Sequence, residues 1–307
     1  MPRSRNKDGL ASRRAAIGSL AALGGALVLG AAGPRTATAV TRRRGKGPLA
    51  LAATFPIRDP AFNVRTLGRL QGDLSGRTIW SFTSGQVFGL VPGDGPPLSD
   101  YGRLLYRVEG CAVKMSRTRA DGAVEERSRS WMFYKDAETG AYLTEFRNPY
   151  TGEVVPVPTF RGGISGSVMT VNGPEVSASF TMESTVFNRP LQLDWKFFGE
   201  QAWIYRHAFT RWLERSTGLH KTEMTLDCWV CRIEDIANDR LTMLPSNYSW
   251  TSQTEWQSWL KMRGKPGAML WRTDGVKLTS VDQLPREFVD QSEKALPGKL
   301  TEPLSWT

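Results

Sequence analysis

The sequence predicts a mainly β protein, an antiparallel barrel-like or strongly curved sheet, lipocalin-like in outline, with one or two short C-terminal helices. Three observations carry that expectation. Short runs rich in aromatic and β-branched residues recur along the chain with turn residues between them. Several of these runs alternate apolar and polar side chains at period two, as half-buried antiparallel strands do. Patterns of helical period gather late in the chain, which argues against an alternating α/β arrangement. No repeat of solenoid period is present.

Residues 130–158, SWMFYKDAETGAYLTEFRNPYTGEVVPVP, are the best specified stretch. Runs at 130–135 and 141–147 flank Asp136-Ala-Glu-Thr-Gly140, where Asp favours turn entry and Gly accepts a positive φ. Asn148-Pro-Tyr-Thr-Gly152 repeats the Asx-x-x-Thr-Gly pattern before Val154, Val155 and Val157, so the spacing predicts a three-stranded meander with two five-residue turns. Pro156 and Pro158 remove two amide donors and make the third strand short or an edge.

Before the meander, 58–74 carries Phe62, Val64, Leu67 and Leu70 and suits one short helix. Residues 77–90 read as two short strands, or one interrupted at Gly85, and 91–99 as a loop. Residues 104–116 form a long strand, with Asp121-Gly122 as the hairpin turn that follows. After the meander, 159–167 reads as loop, 175–187 as one half-buried strand, and 191–198, 202–213 and 222–233 as three more. Ser252 stands three residues before Glu255, and Trp256, Trp259 and Leu260 follow at helical spacing, so 252–262 reads as an amphipathic helix. Residues 268–278 suggest a hairpin about Asp274-Gly275, and 284–295 a last helix opened by Pro285.

The formal net charge of +10 is concentrated at the start of the chain. Residues 1–47 hold ten of the 40 Lys and Arg but one of the 30 Asp and Glu, leaving 30 basic and 29 acidic residues beyond them. That balance removes nucleic acid as an expected partner. The leader has a basic start, then Arg13 and Arg14 before an uncharged run rich in Ala, Leu and Gly, then Ala37-Thr38-Ala39. This order is that of an export signal, and the paired arginines indicate the twin-arginine translocation machinery as a partner. The expected division is an export signal at 1–39, a flexible basic lead-in at 40–57 and a single β-rich domain at 58–307, exported to the periplasm or the extracellular space. Glycines at 18, 24, 25 and 30 dilute the one apolar run, so no stable transmembrane segment is expected after signal removal.

Four segments together resemble the domain-of-unknown-function 1838 family of bacterial and fungal proteins: Leu74-Ser-Gly-Arg-Thr-Ile-Trp80, Tyr134-Lys-Asp-Ala-Glu-Thr-Gly140, Asn148-Pro-Tyr-Thr-Gly-Glu-Val154, and Trp256 to Trp259 with Gly264 and Gly267. The likeness spans about residues 67–284, and the paired turns are its most specific part. It implies a single exported or secreted domain, often behind a twin-arginine leader, and supplies no catalytic residues.

Chemistry is harder to find. The 11 tryptophans all lie at or beyond Trp80 and suit either a thick aromatic core or, for some of them, the lining of an apolar cavity for a small ligand. Cys228-Trp-Val-Cys231 matches C-x-x-C, but strand alternation sends the two sulfurs to opposite faces. His207, His220, Cys228 and Cys231 are zinc-type ligands at no standard spacing, so neither a metal nor a cofactor is expected. Gly163-Ile-Ser165-Gly166 lacks a residue of the G-x-S-x-G nucleophile pattern, and Cys111 reads as a buried free thiol. His207 is the acid–base candidate, with Glu109 or Glu183 as carboxylate partner. On a strand it shares a face with Trp203, Tyr205, Phe209 and Arg211, a row expected to line a polar-tipped cavity. The leading expectation is an exported barrel-like protein that binds a small apolar molecule. The alternatives are a cofactor-independent isomerase, cyclase or hydrolase using His207 and a carboxylate, and a structural module of the cell envelope.

Overall fold

Two meanders meet at the chain's first and last strands. The computed structural model describes residues 47–92, 102–178, 182–186, 192–214 and 219–306, with 160–163, 173–178, 182–186, 210–214 and 219–221 described by backbone alone. The leader residues Arg13, Arg14, Ala37 and Ala39 lie outside the described residues. In the first meander, β1 (Ile79–Leu90), β2 (Arg103–Thr118) and β3 (Val124–Lys135) lead, past a side ribbon of β4 (Glu145–Arg147) and β5 (Val154–Pro156), to β6 (Phe160–Thr170) and β7 (Gly173–Ala178). In the second, β8 (Met182–Val186) and β9 (Asp194–Phe198) pair with successive halves of β10 (Gln201–Glu214). From β10 the chain continues through β11 (Leu219–Arg232) and β12 (Asn247–Thr254) to β13 (Ala268–Leu278). Antiparallel pairing of β1 with β13, from Trp80 opposite Leu278 to Leu90 opposite Ala268, zips the halves into one 11-stranded sheet.

Among the described residues the sheet is mainly antiparallel β with few short helices, and it is not a closed barrel: its path ends at β7 and β8, with no pairing that joins them. It is nevertheless curled. Helix α2 (Pro60–Gln71) places Leu67 and Leu70 in one cluster with Ile204 of β10 and Trp229 of β11, and Met169 of β6 packs against the same cluster. Strands β6 and β10 are seven places apart in the sheet, roughly 34 Å if it were flat at about 4.8 Å per strand. Both reach one cluster because the sheet bends around α2. The opposite end of this inner face is filled by Tyr106, Tyr134, Trp271 and Trp256. The outer face of β2 and β3 is covered by Phe288 of α4 (Arg286–Ala295), together with Leu300 and Leu304 of the tail. No helix among the described residues is long and apolar enough to cross a membrane.

Helix α2 is tied down by charge and backbone together. Asp59 caps it by accepting from the Ala61 amide at 3.0 Å, and Pro60 needs no donor partner in the first turn. Arg69, 2 % exposed, donates to the carbonyls of Asp235 (2.9 Å), Ile236 (3.0 Å), Asn238 (2.7 Å) and Leu241 (2.8 Å), which end α3 (Ile233–Ala237) and begin the loop after it. The guanidinium therefore satisfies carbonyls that a helix terminus leaves unpaired. Asp73, fully buried just past α2, binds Arg77 at 2.6 Å and accepts from the Ser75 amide at 3.0 Å. Burial opposes its charge, but hydrogen bonds from Thr242, Ser75 and Arg77 outweigh that and hold its pKa down to about 2.

Several elements depart from the sequence reading. Residues 77–90 make one strand, and 268–278 make one strand rather than a hairpin. Gly85 and Gly275 serve close approach instead of turning the chain: a Cβ on Gly85 would sit 2.1 Å from the Arg272 carbonyl, and one on Gly275 would sit 2.9 Å from Thr83 Cγ2 and Tyr248 Cδ1. Residues 159–167, expected as loop, fall mostly in β6, whose glycines are tolerated because β3 and β7 pair on both sides. The helix expected over 252–262 is absent; Ser252 lies within β12, fully buried and bonded to Glu223, and only a single 3-10 turn follows at Ser258–Leu260. The expected strand at 175–187 is divided between β7 and β8, with 179–181 outside the described residues. Within the basic lead-in, Pro48–Ala52 forms α1, and Ala52 joins the core.

The paired turns behave as read, in a reduced setting. Gly140 and Gly152 have φ of 74° and 75°, and their amides bond back to Asp136 and Asn148. The second turn joins β4 to β5, but this ribbon stands off the main sheet and meets β3 through one bridge, Lys135 to Tyr142.

Two stability predictions follow from these contacts. Arg69→Met removes four charge-assisted hydrogen bonds and leaves buried carbonyls unpaired, so urea unfolding is expected to show a loss of roughly 3 kcal/mol or more. Gly152→Val meets no atom within 4 Å yet forces a branched residue into positive φ, and a loss of about 1 kcal/mol is expected in the same assay.

Candidate functional site

Alternation along the central strands fills the inner face unevenly. Ser81 and Thr83 of β1, Gly110 and Ala112 of β2 and Ser130 of β3 are small, and they face Trp229 of β11 and Tyr248 of β12 across the curl. What the small side chains leave unfilled is a partly open cavity of about 230 Å³, floored by Leu70 and Gln71 at the end of α2. At about 30 Å³ per water it has room for about eight. That is below the size of a drug-like pocket and suits a molecule of roughly one ring.

Two amines line this space. Lys277 of β13 donates its Nζ to the Arg69 carbonyl at 2.9 Å and to the Leu244 carbonyl at 2.7 Å. Burial disfavours its charge, and Lys114 and Arg69 add to that effect while Cys231 and Asp73 oppose it; the result is a pKa pushed down to about 7. Lys114 of β2, the second amine, lies 3.6 Å from Glu126. The Ser246 hydroxyl on the same wall is buried and has no hydrogen-bond partner among the described residues.

The aromatic wall is held from behind by a buried ion pair. Arg206 of β10 and Asp227 of β11 stand opposite each other in register and meet at 2.6 Å, and the Tyr248 hydroxyl donates to Asp227 at 2.7 Å. Burial and the Asp227 charge keep the Tyr248 phenol protonated. For Arg206, burial works against the charge, but Asp227 and then Tyr248 more than restore it. Trp229 stacks on Tyr248 with centroids 5.3 Å apart, and the Arg206 guanidinium lies 5.8 Å from the Trp229 ring. The rings are thus fixed on one side by charge and present the cavity with the other.

The row expected to line a site lies elsewhere. Trp203, Tyr205, His207 and Phe209 are on the outer face of β10, with His207 exposed and Phe209 52 % exposed. Ala202 and Ile204, both fully buried, take the inner face with Arg206. Register explains the choice. Inward, Arg206 meets Asp227; outward, Tyr205, His207 and Phe209 stand opposite Cys228, Leu226 and Met224, none of which is a carboxylate. The side chains of Arg211, His220 and Glu183 lie outside the described residues. Glu109 does not serve as countercharge there: it accepts from Tyr142 at 2.7 Å and from Lys135 at 3.2 Å, and Lys135 reaches on to Glu287 of α4 at 3.0 Å. The structure therefore does not bring His207 and Glu109 together.

The cysteines are free, with Cys111 and Cys231 buried and Cys228 partly exposed on the opposite face to Cys231. Burial pushes the Cys111 and Cys231 thiols up to about 12, which leaves them unreactive at neutral pH. No cluster of three metal-ligating side chains occurs among the described residues.

Sequence reasoning missed Lys277 because the hairpin reading of 268–278 broke its row. Read as one strand, Met269, Trp271, Thr273, Gly275 and Lys277 share a face, and a lysine closing an apolar row was the available signal.

The family model described as "Protein of unknown function (DUF1838)" matches residues 76–306. No curated protein matches. Among solved structures, one described as "Structure of DynF from the Dynemicin Biosynthesis Pathway of Micromonospora chersina" is similar at 11% identity, over 68% of this chain and 83% of that one, with a TM-score of 0.29. A superposition that loose bears on neither the site nor its chemistry.

Lys277 gives the cavity a measurable pH signature. Its pKa is lower folded, about 7, than unfolded, near 10.5, so the unfolded chain holds more protons between these values. Wild-type stability is therefore expected to rise with pH across that window relative to Lys277→Met, which lacks the titrating group. Urea unfolding of both proteins at pH 6, 8 and 10 reads the difference; parallel profiles would show that Lys277 keeps its charge in the folded state.

Proposed function

We propose that this chain, which belongs to the DUF1838 family, is an exported protein that holds a small, largely apolar molecule with one polar end in a barrel-like interior. The observation that carries this reading is the cavity of about 230 Å³ with the stacked Trp229 and Tyr248 on one wall and two amines, Lys114 and Lys277, in its lining. Rings supply apolar area and a flat surface for a planar ligand. Amines held in a partly desolvated site, as cations or as hydrogen-bond donors, favour a ligand with a carboxylate, phenolate or carbonyl end. The curl of the sheet around α2 gives the interior a floor without closing the barrel.

Export rests on the leader: Arg13 and Arg14 before a mild apolar run, then Ala37-Thr38-Ala39. The sheet, α2 and the cavity lining are built from residues 60 onward.

Two measurements test the proposal. Titration with benzoate and benzyl alcohol is expected to quench tryptophan fluorescence saturably. Ala112→Leu, which fills the cavity, should abolish the change, whereas His207→Ala on the outer face should leave it intact; equal responses in all three proteins would remove the cavity from the binding site. For export, the mature N-terminus in the native host is expected at or near Val40, and Arg13→Lys with Arg14→Lys should retain the protein inside the cell. Full-length protein accumulating in the cytoplasm of the unmodified host would overturn that part.

A further inference from the structure

We propose that the Lys277 amine is a carbonyl-capturing nucleophile, which binds a small aldehyde in the cavity reversibly as an imine. This rests on the reading of the cavity as a small-molecule site and goes beyond it by naming the reactive class of ligand. Its basis is geometric. A neutral primary amine has two N–H bonds and one lone pair, and Lys277 has two acceptors, the Arg69 and Leu244 carbonyls, that take both hydrogens. The lone pair is left for a third partner. An ammonium in the same place carries a third N–H that has no acceptor among the described residues.

The surroundings favour the neutral form. The charged or titratable groups around Lys277 come from three elements and the segment just past one of them: Lys114 on β2, Cys231 on β11, Arg69 on α2 and Asp73 just after α2. Two of them are cationic, Cys231 stays a neutral thiol, and Asp73 is already paired with Arg77. Desolvation beside another cation is a recognised way to activate a lysine amine. With its pKa down at about 7, about half the Lys277 amines are neutral at pH 7. A surface lysine of ordinary pKa is neutral there in only about one molecule in 2,500. The larger neutral fraction therefore favours Lys277 over surface lysines at that pH.

The step balances without a co-reactant. The Nζ lone pair forms a bond to the carbonyl carbon while the C=O π pair moves to oxygen, and a proton passes from nitrogen to that oxygen to give a carbinolamine. The hydroxyl then leaves as water, taking the second nitrogen proton, and an imine remains. Ser246 offers an unpartnered hydroxyl on the same wall for the oxygen as charge develops on it. Trp229 and Tyr248 provide a face for an aryl aldehyde.

The experiment is reductive trapping of the folded mature domain with benzaldehyde and cyanoborohydride at pH 7, read by intact mass and by peptide mapping. One benzyl group per chain, on Lys277, is expected. Lys277→Arg, which keeps donors for both carbonyls but is no nucleophile at this pH, should lose that adduct while unfolding at a similar urea concentration. Benzyl alcohol titration is run in parallel. If benzyl alcohol binds in the cavity but the label spreads over surface lysines, imine capture is overturned and the binding reading stands. If benzyl alcohol does not bind and no adduct forms at Lys277, both fall.

Discussion

The pairing of β1 with β13 is the constraint on which the rest depends. It joins residues about two hundred positions apart by main-chain hydrogen bonds, from Trp80 with Leu278 to Leu90 with Ala268. Each half is a meander whose neighbouring strands are close in sequence, and the seam joins the two into one sheet. The seam places Ser81 beside Lys277 and, through β12, brings Tyr248 opposite Gly275. Gly85 and Gly275 let the strands around this seam approach closely, because a Cβ at either position would strike a neighbour. Such non-local pairing forms late and at high entropic cost, so the cavity belongs to the completed sheet and not to any fragment of it.

Helix α2 converts the curled sheet into a container. Its apolar face supplies Leu67 and Leu70 to the inner cluster, and its Arg69 clamps the end of α3 and the following loop. The Arg69 carbonyl then receives both the Leu244 amide, at 2.9 Å, and the Lys277 Nζ. One residue therefore anchors the floor through its side chain and orients the cavity amine through its backbone. Polar groups this well satisfied rigidify a core, which is why the same region can hold a desolvated lysine whose Nζ has no carboxylate partner among the described residues.

Much of the strand inventory was legible from local pattern. The strands at 104–116 and 202–213, the helix near residue 60 and the turns ending at Gly140 and Gly152 all appear where alternation, spacing and turn chemistry place them. Failures cluster where a residue has two uses. Glycine at 85 and 275 suggested breaks but serves close approach, and Ser252 suggested a helix cap but bonds Glu223 inside β12. The mixed rows of β10 could be enumerated but not oriented. Whether His207 or Arg206 faces inward depends on which acid lies across the pair, and that acid, Asp227, is identified only by register.

By itself, then, the sequence determined the strand-rich class, the family likeness, the turns and the basic leader, because these depend on residues within a few positions of one another. The tertiary structure decided which face of each strand looks inward, that the sheet curls around α2, and that Lys277 loses most of its hydration between the Arg69 and Leu244 carbonyls. These are matters of register and burial. A lysine's pKa and a tryptophan's role are properties of what surrounds them, and here the surroundings come from β2, β11, β12, β13 and α2, which only the seam between the first and last strands brings together.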